Sequence, residues 1–205
     1  MNRIELPLCV RILDTFSVKY AALFAIGIGT GCRISEILSL RRSDLIDETG
    51  ELRQVIRFLK LKSRSKKPEF RELVIPEALQ GYVTRLLNQE MNRGYTSPDD
   101  WVFRGCHGRH LTRFTVYDAM KRTFAMFGLR RNYATHSMRK TFAHAIFNYF
   151  LNENPADPMR ALELTRQALG HSRLETTVRY LGIRQGQIHQ AQHNIFAKIG
   201  VREWT

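Results

Sequence analysis

Apolar positions in this chain fall mostly at helical spacing, and one segment is apolar on nearly every side. Val18, Tyr20, Ala21, Leu23, Phe24, Ile26 and Ile28 follow Ser17, a good N-cap residue. They predict a helix buried over most of its circumference. Gly27, Gly29 and Gly31 loosen and end it, and a second helix from about Ser35 carries Glu36, Ile37, Leu38 and Leu40 into the core. Ahead of both, Pro7 sets the entry of a short helix over residues 6–13. Residues 78–91 form an amphipathic helix with Leu79, Val83, Leu86 and Leu87 inward, and residues 112–127 form another with Arg113, Lys121 and Arg122 on its polar side. Thr135 caps a helix that turns Met138, Phe142, Ala145, Ile146 and Tyr149 inward. A polar loop over residues 152–158 leads to the next helix, residues 160–169, which stops at Gly170.

The period changes in one place. Residues 52–61 are rich in β-branched and large apolar side chains, and residues 71–75 form the return before Pro76, which predicts a hairpin. Its tip carries Lys60, Lys62, Arg64, Lys66 and Lys67, a cationic turn that attracts phosphate. Lys60 and Lys62 share one strand face by the two-residue period. Residues 98–103 enter a short strand or turn, and the basic loop after it holds His107 and His110, which have neither partners nor metal-ligand spacing. The expected fold class is therefore α+β, mainly α-helical, with a small antiparallel sheet. Residues 1–182 make the domain. Residues 183–205 make a tail in which Ile183, Ile188, Ala191, Ile195, Phe196 and Ile199 recur at helical spacing.

Composition narrows the partner. The 205 residues hold 32 Lys+Arg against 19 Asp+Glu, a formal charge of +13 and a pI near 10.2, which favours a polyanion and above all nucleic acid. A chain of this length buries a core without staples. Cys9, Cys32 and Cys106 are scattered, giving neither a disulfide framework nor a zinc site, and fit a reduced cytoplasm. The N-terminus has no basic-then-apolar leader, and the apolar run over residues 20–28 is too short to span a bilayer. No membrane role is expected. Nor is a metal or other cofactor, since the chain has no Walker loop, acidic metal cluster or Cys/His metal site.

The chemistry-bearing residues cluster late in the chain. His136 and Arg139, three apart, lie on one helix face and can address a single anion. Gly170 ends a helix, His171 follows it, and Tyr180 comes nine residues later on the next helix. Far upstream, Arg33 stands at a helix junction among glycines, and Glu36, one turn on, can hold its guanidinium fork. Singly these residues are commonplace: a surface arginine, a capping histidine, a half-buried tyrosine. Together they supply phosphate-binding forks, donors and a hydroxyl nucleophile.

Thr30-Gly31-Cys32-Arg33 through Leu40, His136-x-x-Arg139, Leu169-Gly170-His171 and Tyr180 occur in the order found in the tyrosine recombinases, the phage integrase family, and the segment over residues 16–180 resembles their catalytic domain. The resemblance implies a site-specific recombinase or integrase that cleaves and rejoins duplex DNA through a 3′-phosphotyrosyl intermediate, without metal or ATP. It implies that Arg33 and Arg139 offer planar forks to the phosphate and that His171 donates to it. His136 positions the phosphate or moves the tyrosine's proton. Tyr180 attacks, its phenolate favoured by the surrounding cations. A hairpin lysine serves as general acid, with Lys60 first, Lys62 second, and Lys66 or Lys67 on the return strand still open. Glu36 supports Arg33. Arg64, Lys66, Lys67, Arg113, Lys121 and Arg122 are the expected DNA contacts.

The same resemblance implies a homo-oligomer on DNA, a tetramer when two sites are paired, and a tail exchanged between protomers. The family's N-terminal core-binding domain has no counterpart, as in the short fimbrial DNA invertases and some plasmid or transposon recombinases. Nearby protomers or a host DNA-bending protein then complete the grip, unless the chain is an excised catalytic domain. Two other outcomes fit the motifs: a type IB topoisomerase-like relaxing enzyme, and a non-catalytic DNA-binding accessory protein.

Overall fold

Helices and one hairpin make up the chain in a computed structural model that describes residues 5–59, 70–129 and 135–182. In order these are α1 (Glu5–Phe16), α2 (Val18–Thr30), α3 (Ile34–Leu38), α4 (Arg42–Leu45), β1 (Val55–Leu59), β2 (Phe70–Val74), α5 (Glu77–Asn92), α6 (Arg113–Met126), α7 (Thr135–Glu153), α8 (Pro158–Leu169) and α9 (Leu174–Leu181). The class is the mainly helical α+β one that the hydrophobic pattern predicts. Two compact units divide the chain, Met1–Phe142 and Ala143–Thr205.

In the first unit α2 is the central element, because it has no polar face to turn outward. Residues 21–27 and Thr30 are all buried. α1 and α5 pack against α2, and α1 also meets α6, whose Phe124 sets its ring edge-on to Phe24 at 6.2 Å. Full burial of a side chain such as Phe24 contributes about 1.5–3 kcal/mol. β1 and β2 pair antiparallel, with Ile56 opposite Leu73 and Phe58 opposite Arg71. Ile56 and Phe58 face the core, while Val55, Arg57, Phe70 and Val74 face out. Among the described residues no helix is long and apolar enough to cross a membrane.

Several boundaries differ from the sequence expectation, each for a local reason. β1 begins at Val55 rather than near residue 52 because the preceding chain is committed to a turn, in which Asp47 Oδ1 accepts from the backbone N–H groups of Thr49 (2.9 Å) and Glu51 (3.0 Å). The short α4 was not foreseen; Asp44 fixes its start by accepting from the Arg41 N–H at 2.7 Å. Thr135 lies inside the first turn of α7 instead of capping it. The loop after α7 shrinks to residues 154–157, since Asp157 caps α8 by accepting from the Arg160 N–H at 2.9 Å and Pro158 occupies the first turn.

Two side-chain expectations also fail. Ala145 and Tyr149 are exposed, because the fully buried stripe of α7 runs through Met138, Arg139 and Ala143. His110 does have partners. Its ring meets Trp101 at 4.9 Å and its Nδ1 lies 2.6 Å from the Leu111 carbonyl oxygen, while Arg41 stacks on the same indole 3.0 Å from its centre.

α2 ends at Gly31 in the left-handed conformation (φ +62°), where a Cβ would overlap the Phe142 ring. Gly94, after α5, is also left-handed (φ +87°) but has nothing within 4 Å of the same position. Alanine at Gly94 should therefore cost only the backbone strain, about 1–2 kcal/mol. Alanine at Gly31 should cost that plus an overpacking cost of about 1–3 kcal/mol. Urea unfolding of the two variants tests this, and equal losses would contradict the packing described.

Candidate active site

In the first unit the site is built around the turn that ends α2. Gly31 donates its N–H to the Gly27 carbonyl at 3.1 Å, and its left-handed backbone directs the chain into Cys32 and Arg33. The carbonyl of Gly31 accepts from Nη1 of Arg139, 108 residues further along. Arg139 is only 2% exposed. Close approach makes this possible: Met138 packs where a Cβ on Gly27 would be, and Phe142 does the same at Gly31. Gly27 and Gly31 thus form a surface on which the first turns of α7 rest, while Gly29 lies against Pro76 and Leu79.

Arg33 is the N-cap of α3, and its side chain, about a third exposed, reaches back to Glu36. Glu36 Oε2 accepts from the Arg33 N–H at 2.7 Å and Oε1 accepts from Nη1 of Arg33 at 2.9 Å, so one carboxylate both caps the helix and fixes the guanidinium. The carboxylate is buried (4%) and has a second cation, Arg71 of β2, 3.9 Å from Oε2. Arg71 also donates to Cys32 Sγ at 2.9 Å. Burial pushes the Cys32 thiol above its ordinary range, partly offset by the Arg71 charge, so the thiol stays protonated at neutral pH. Arg71 ties the hairpin to the arginine turn, and nothing in its local sequence announced this.

His136 sits in the first turn of α7 and is exposed, whereas Arg139 one turn later is buried. The shared helix face that the spacing predicts therefore spans two depths.

In the second unit, α8 ends at Gly170 in the left-handed conformation (φ +63°) and the chain turns into His171. The backbone of His171 is held twice: its N–H donates to the Arg166 carbonyl at 3.0 Å, and its own carbonyl accepts from Nη1 of Arg166 at 2.6 Å. Arg166 is in turn gripped by Glu163 through bonds of 2.8 and 2.6 Å. The Arg166 hydrogen bond, with a smaller contribution from Gln167, lowers the Glu163 carboxyl to about 2. The His171 imidazole is buried, and its Nδ1 lies 3.0 Å from Oγ1 of Thr177 on α9. Tyr180, one turn beyond Thr177, places its ring 5.3 Å from that imidazole.

Lys60, Lys62, Arg64, Lys66, Lys67 and the tail over residues 183–205 lie outside the described residues. Arg113, Lys121 and Arg122 are exposed on α6. Arg122 is paired with Asp118 at 2.5 Å, and Lys121 lies 5.8 Å from the centre of the Tyr117 ring.

The arginine-bearing turn of the first unit and the histidine–tyrosine pair of the second both stand on mainly helical scaffolding. The chain belongs to the phage integrase family, whose model matches residues 4–186. It is 24% identical over 201 residues to the tyrosine recombinase XerD of Oceanobacillus iheyensis, covering 94% of this chain and 60% of that protein. It is 28% identical over 163 residues to XerD of Lacticaseibacillus casei, covering 78% of this chain and 48% of the relative. The chain thus spans about half to three-fifths of the curated relatives it matches. Among solved structures it superposes on XerA recombinase with a TM-score of 0.68 at 18% identity, covering 99% of this chain and 65% of that one. It superposes on XerH recombinase bound to its palindromic difH substrate after cleavage with a TM-score of 0.64 at 23% identity, covering 94% and 52%.

Two predictions follow from these anchors. Glu36→Gln keeps the shape but removes the charge between Arg33 and Arg71, and should cost about 2–4 kcal/mol in chemical denaturation; a change under half that size would show that the carboxylate is not what holds the turn. Glu163 has a lowered folded-state pKa, so its contribution is complete above its ordinary value of 4.5 and is lost as pH falls through about 2. The stability gap between the parent and Glu163→Gln should be flat above about pH 5 and narrow steadily below pH 4.5. A gap independent of pH down to 2.5 would contradict the Arg166 clamp.

Proposed function

We propose that this chain is the catalytic domain of a site-specific tyrosine recombinase that breaks and rejoins duplex DNA through a covalent tyrosyl intermediate. The observation that carries the reading is the turn at Gly31, where Arg33 and the buried Arg139 are anchored by one short piece of backbone. Two guanidinium groups fixed in advance suit an anion whose charge grows in the transition state. Membership of the phage integrase family and the packing of His171 on Tyr180 support the same reading.

The reaction runs as a transesterification. The Tyr180 hydroxyl attacks the phosphorus, a P–O(Tyr) bond forms, and the P–O5′ bond breaks. The phenolic proton leaves with the help of His136, and the departing 5′ oxygen takes a proton from a hairpin lysine, Lys60 or Lys62. Arg33, Arg139 and His171 bind the nonbridging oxygens. The phosphotyrosyl link keeps the phosphodiester's energy, so attack by another 5′ hydroxyl reverses the step without ATP. Rejoining to a different end demands a second site, and hence a homo-oligomer, a tetramer on paired sites, with a host DNA-bending protein as a candidate helper. Arg64, Lys66, Lys67, Arg113, Lys121 and Arg122 contribute phosphate contacts around the site.

The decisive experiment is covalent trapping on nicked suicide DNA carrying candidate sites from the flanking genome, resolved on a denaturing gel. The parent should form an adduct and Tyr180→Phe none. Arg33→Lys should cut the rate by about 10²–10³, the size of one lost transition-state donor. DNA affinity of all three should fall steeply and in parallel with salt as counterions are released. An adduct that survives Tyr180→Phe overturns the assignment of the nucleophile, and binding without any adduct favours an accessory protein.

A further inference from the structure

We infer that Arg71 is a positioning residue for Arg33, acting through Glu36 and Cys32; the inference rests on the recombinase reading of the site. β2 alternates exposed and part-buried positions, and Arg71 stands in the inward row with Leu73. Directly opposite it is the buried Phe58 of β1, on the same face of the sheet. The two-residue period calls for an apolar side chain at such a place. A guanidinium there, 12% exposed, needs polar partners to replace the water it has lost.

Two of its partners bracket Arg33 in sequence. Nη2 of Arg71 donates to Cys32 Sγ at 2.9 Å and lies 3.9 Å from Glu36 Oε2. Cys32 immediately precedes Arg33, and Glu36 follows it by one helical turn. Glu36 divides its oxygens between the two parts of Arg33: Oε1 accepts from the guanidinium at 2.9 Å, and Oε2 accepts from the backbone N–H at 2.7 Å. Arg71 addresses Oε2, the oxygen on the backbone side. Its attraction there fixes the plane of the carboxylate, and that plane sets the direction in which Oε1 holds the Arg33 fork. A carboxylate gripped by Arg33 alone would turn with it. The bond to Cys32 Sγ anchors the other side of the turn to the same strand. Arg71 thus makes β2 a support for Arg33, and it works through Arg33 rather than on the phosphate. An arginine held still before the phosphate arrives is what stabilisation of a growing negative charge demands.

Removing the cation outright would leave the buried Glu36 short of a partner and risk the fold. Arg71→Lys is therefore the main variant, since it keeps the charge and loses the planar fork. Cys32→Ala is the second, since it removes the sulfur contact and leaves every charge in place. Two measurements on the full chain decide the matter. In the first, native-state hydrogen exchange follows the Arg33 amide, whose acceptor is the Glu36 carboxylate. Arg71→Lys should speed exchange at Arg33 about tenfold, and Cys32→Ala by a smaller factor, while amides in the middle of α2 keep the parent's rates. In the second, single-turnover cleavage of the nicked suicide DNA should fall about tenfold in Arg71→Lys with DNA affinity unchanged. That loss should disappear in an Arg33→Lys background, where there is no fork left to position. A merely structural contribution would add to the loss from Arg33→Lys instead. Unchanged exchange at Arg33 in both variants overturns the proposal, as does an additive loss or full-rate cleavage in Arg71→Lys. A parent that gives no adduct overturns the recombinase reading itself, and the exchange rates then still decide whether Arg71 holds Arg33.

Discussion

A single left-handed residue at the end of α2 sets the conditions for the first half of the site. Gly31 must be glycine twice over, once for its positive φ and once because Phe142 occupies the space where a side chain would be. Its carbonyl, turned away from helical hydrogen bonding, becomes the acceptor for the buried Arg139, and the chain leaves it directly into Arg33. A buried guanidinium is tolerated only when its donors are met. The turn meets one of them and so makes the position of Arg139 consistent with the apolar packing around Met138.

Charge is managed by short, nearly closed sets of partners. Glu36 is buried between two arginines, and it caps α3 at the same time. Arg33 is the most exposed side chain of that set. The His171 turn uses the same device with other residues: Glu163 grips Arg166, Arg166 grips the His171 carbonyl, and Thr177 holds the ring. In both places a candidate site residue is fixed by its neighbours. Such preorganisation is what an enzyme needs when its main contribution is to meet a growing negative charge without reorganising.

A formal charge of +13 on 205 residues would otherwise oppose compact folding, and local pairing relieves part of it. The pairs Arg57–Glu72, Arg85–Asp14, Arg104–Asp100 and Arg122–Asp118 lie at 3.5, 2.6, 2.8 and 2.5 Å. The exposed pairs among them, such as Arg57–Glu72, add little stability each. Their value lies in tempering repulsion within a chain that keeps a net positive charge.

Local signals alone carried much of the architecture. The apolar circumference of α2, the glycines that end α2 and α8, and the two-residue period of the hairpin were all legible because each is decided within one or two turns of chain. The candidate residues Arg33, Glu36, His136, Arg139, His171 and Tyr180 were legible too, as spacings within short motifs. Tertiary structure alone decided the rest. The inward face of α7 could not be read from its many apolar residues, since packing chose Ala143 over Tyr149. Arg71 reaches Glu36 and Cys32 only because β2 returns beside α3, and Arg139 finds the Gly31 carbonyl across 108 residues. Thr177 gives no local signal between His171 and Tyr180, because a threonine in a helix has no partner to show until His171 Nδ1 is brought within 3.0 Å of its hydroxyl. Periodicity and caps are properties of adjacent residues, while partners for buried polar groups are settled only when distant segments compete for the same space.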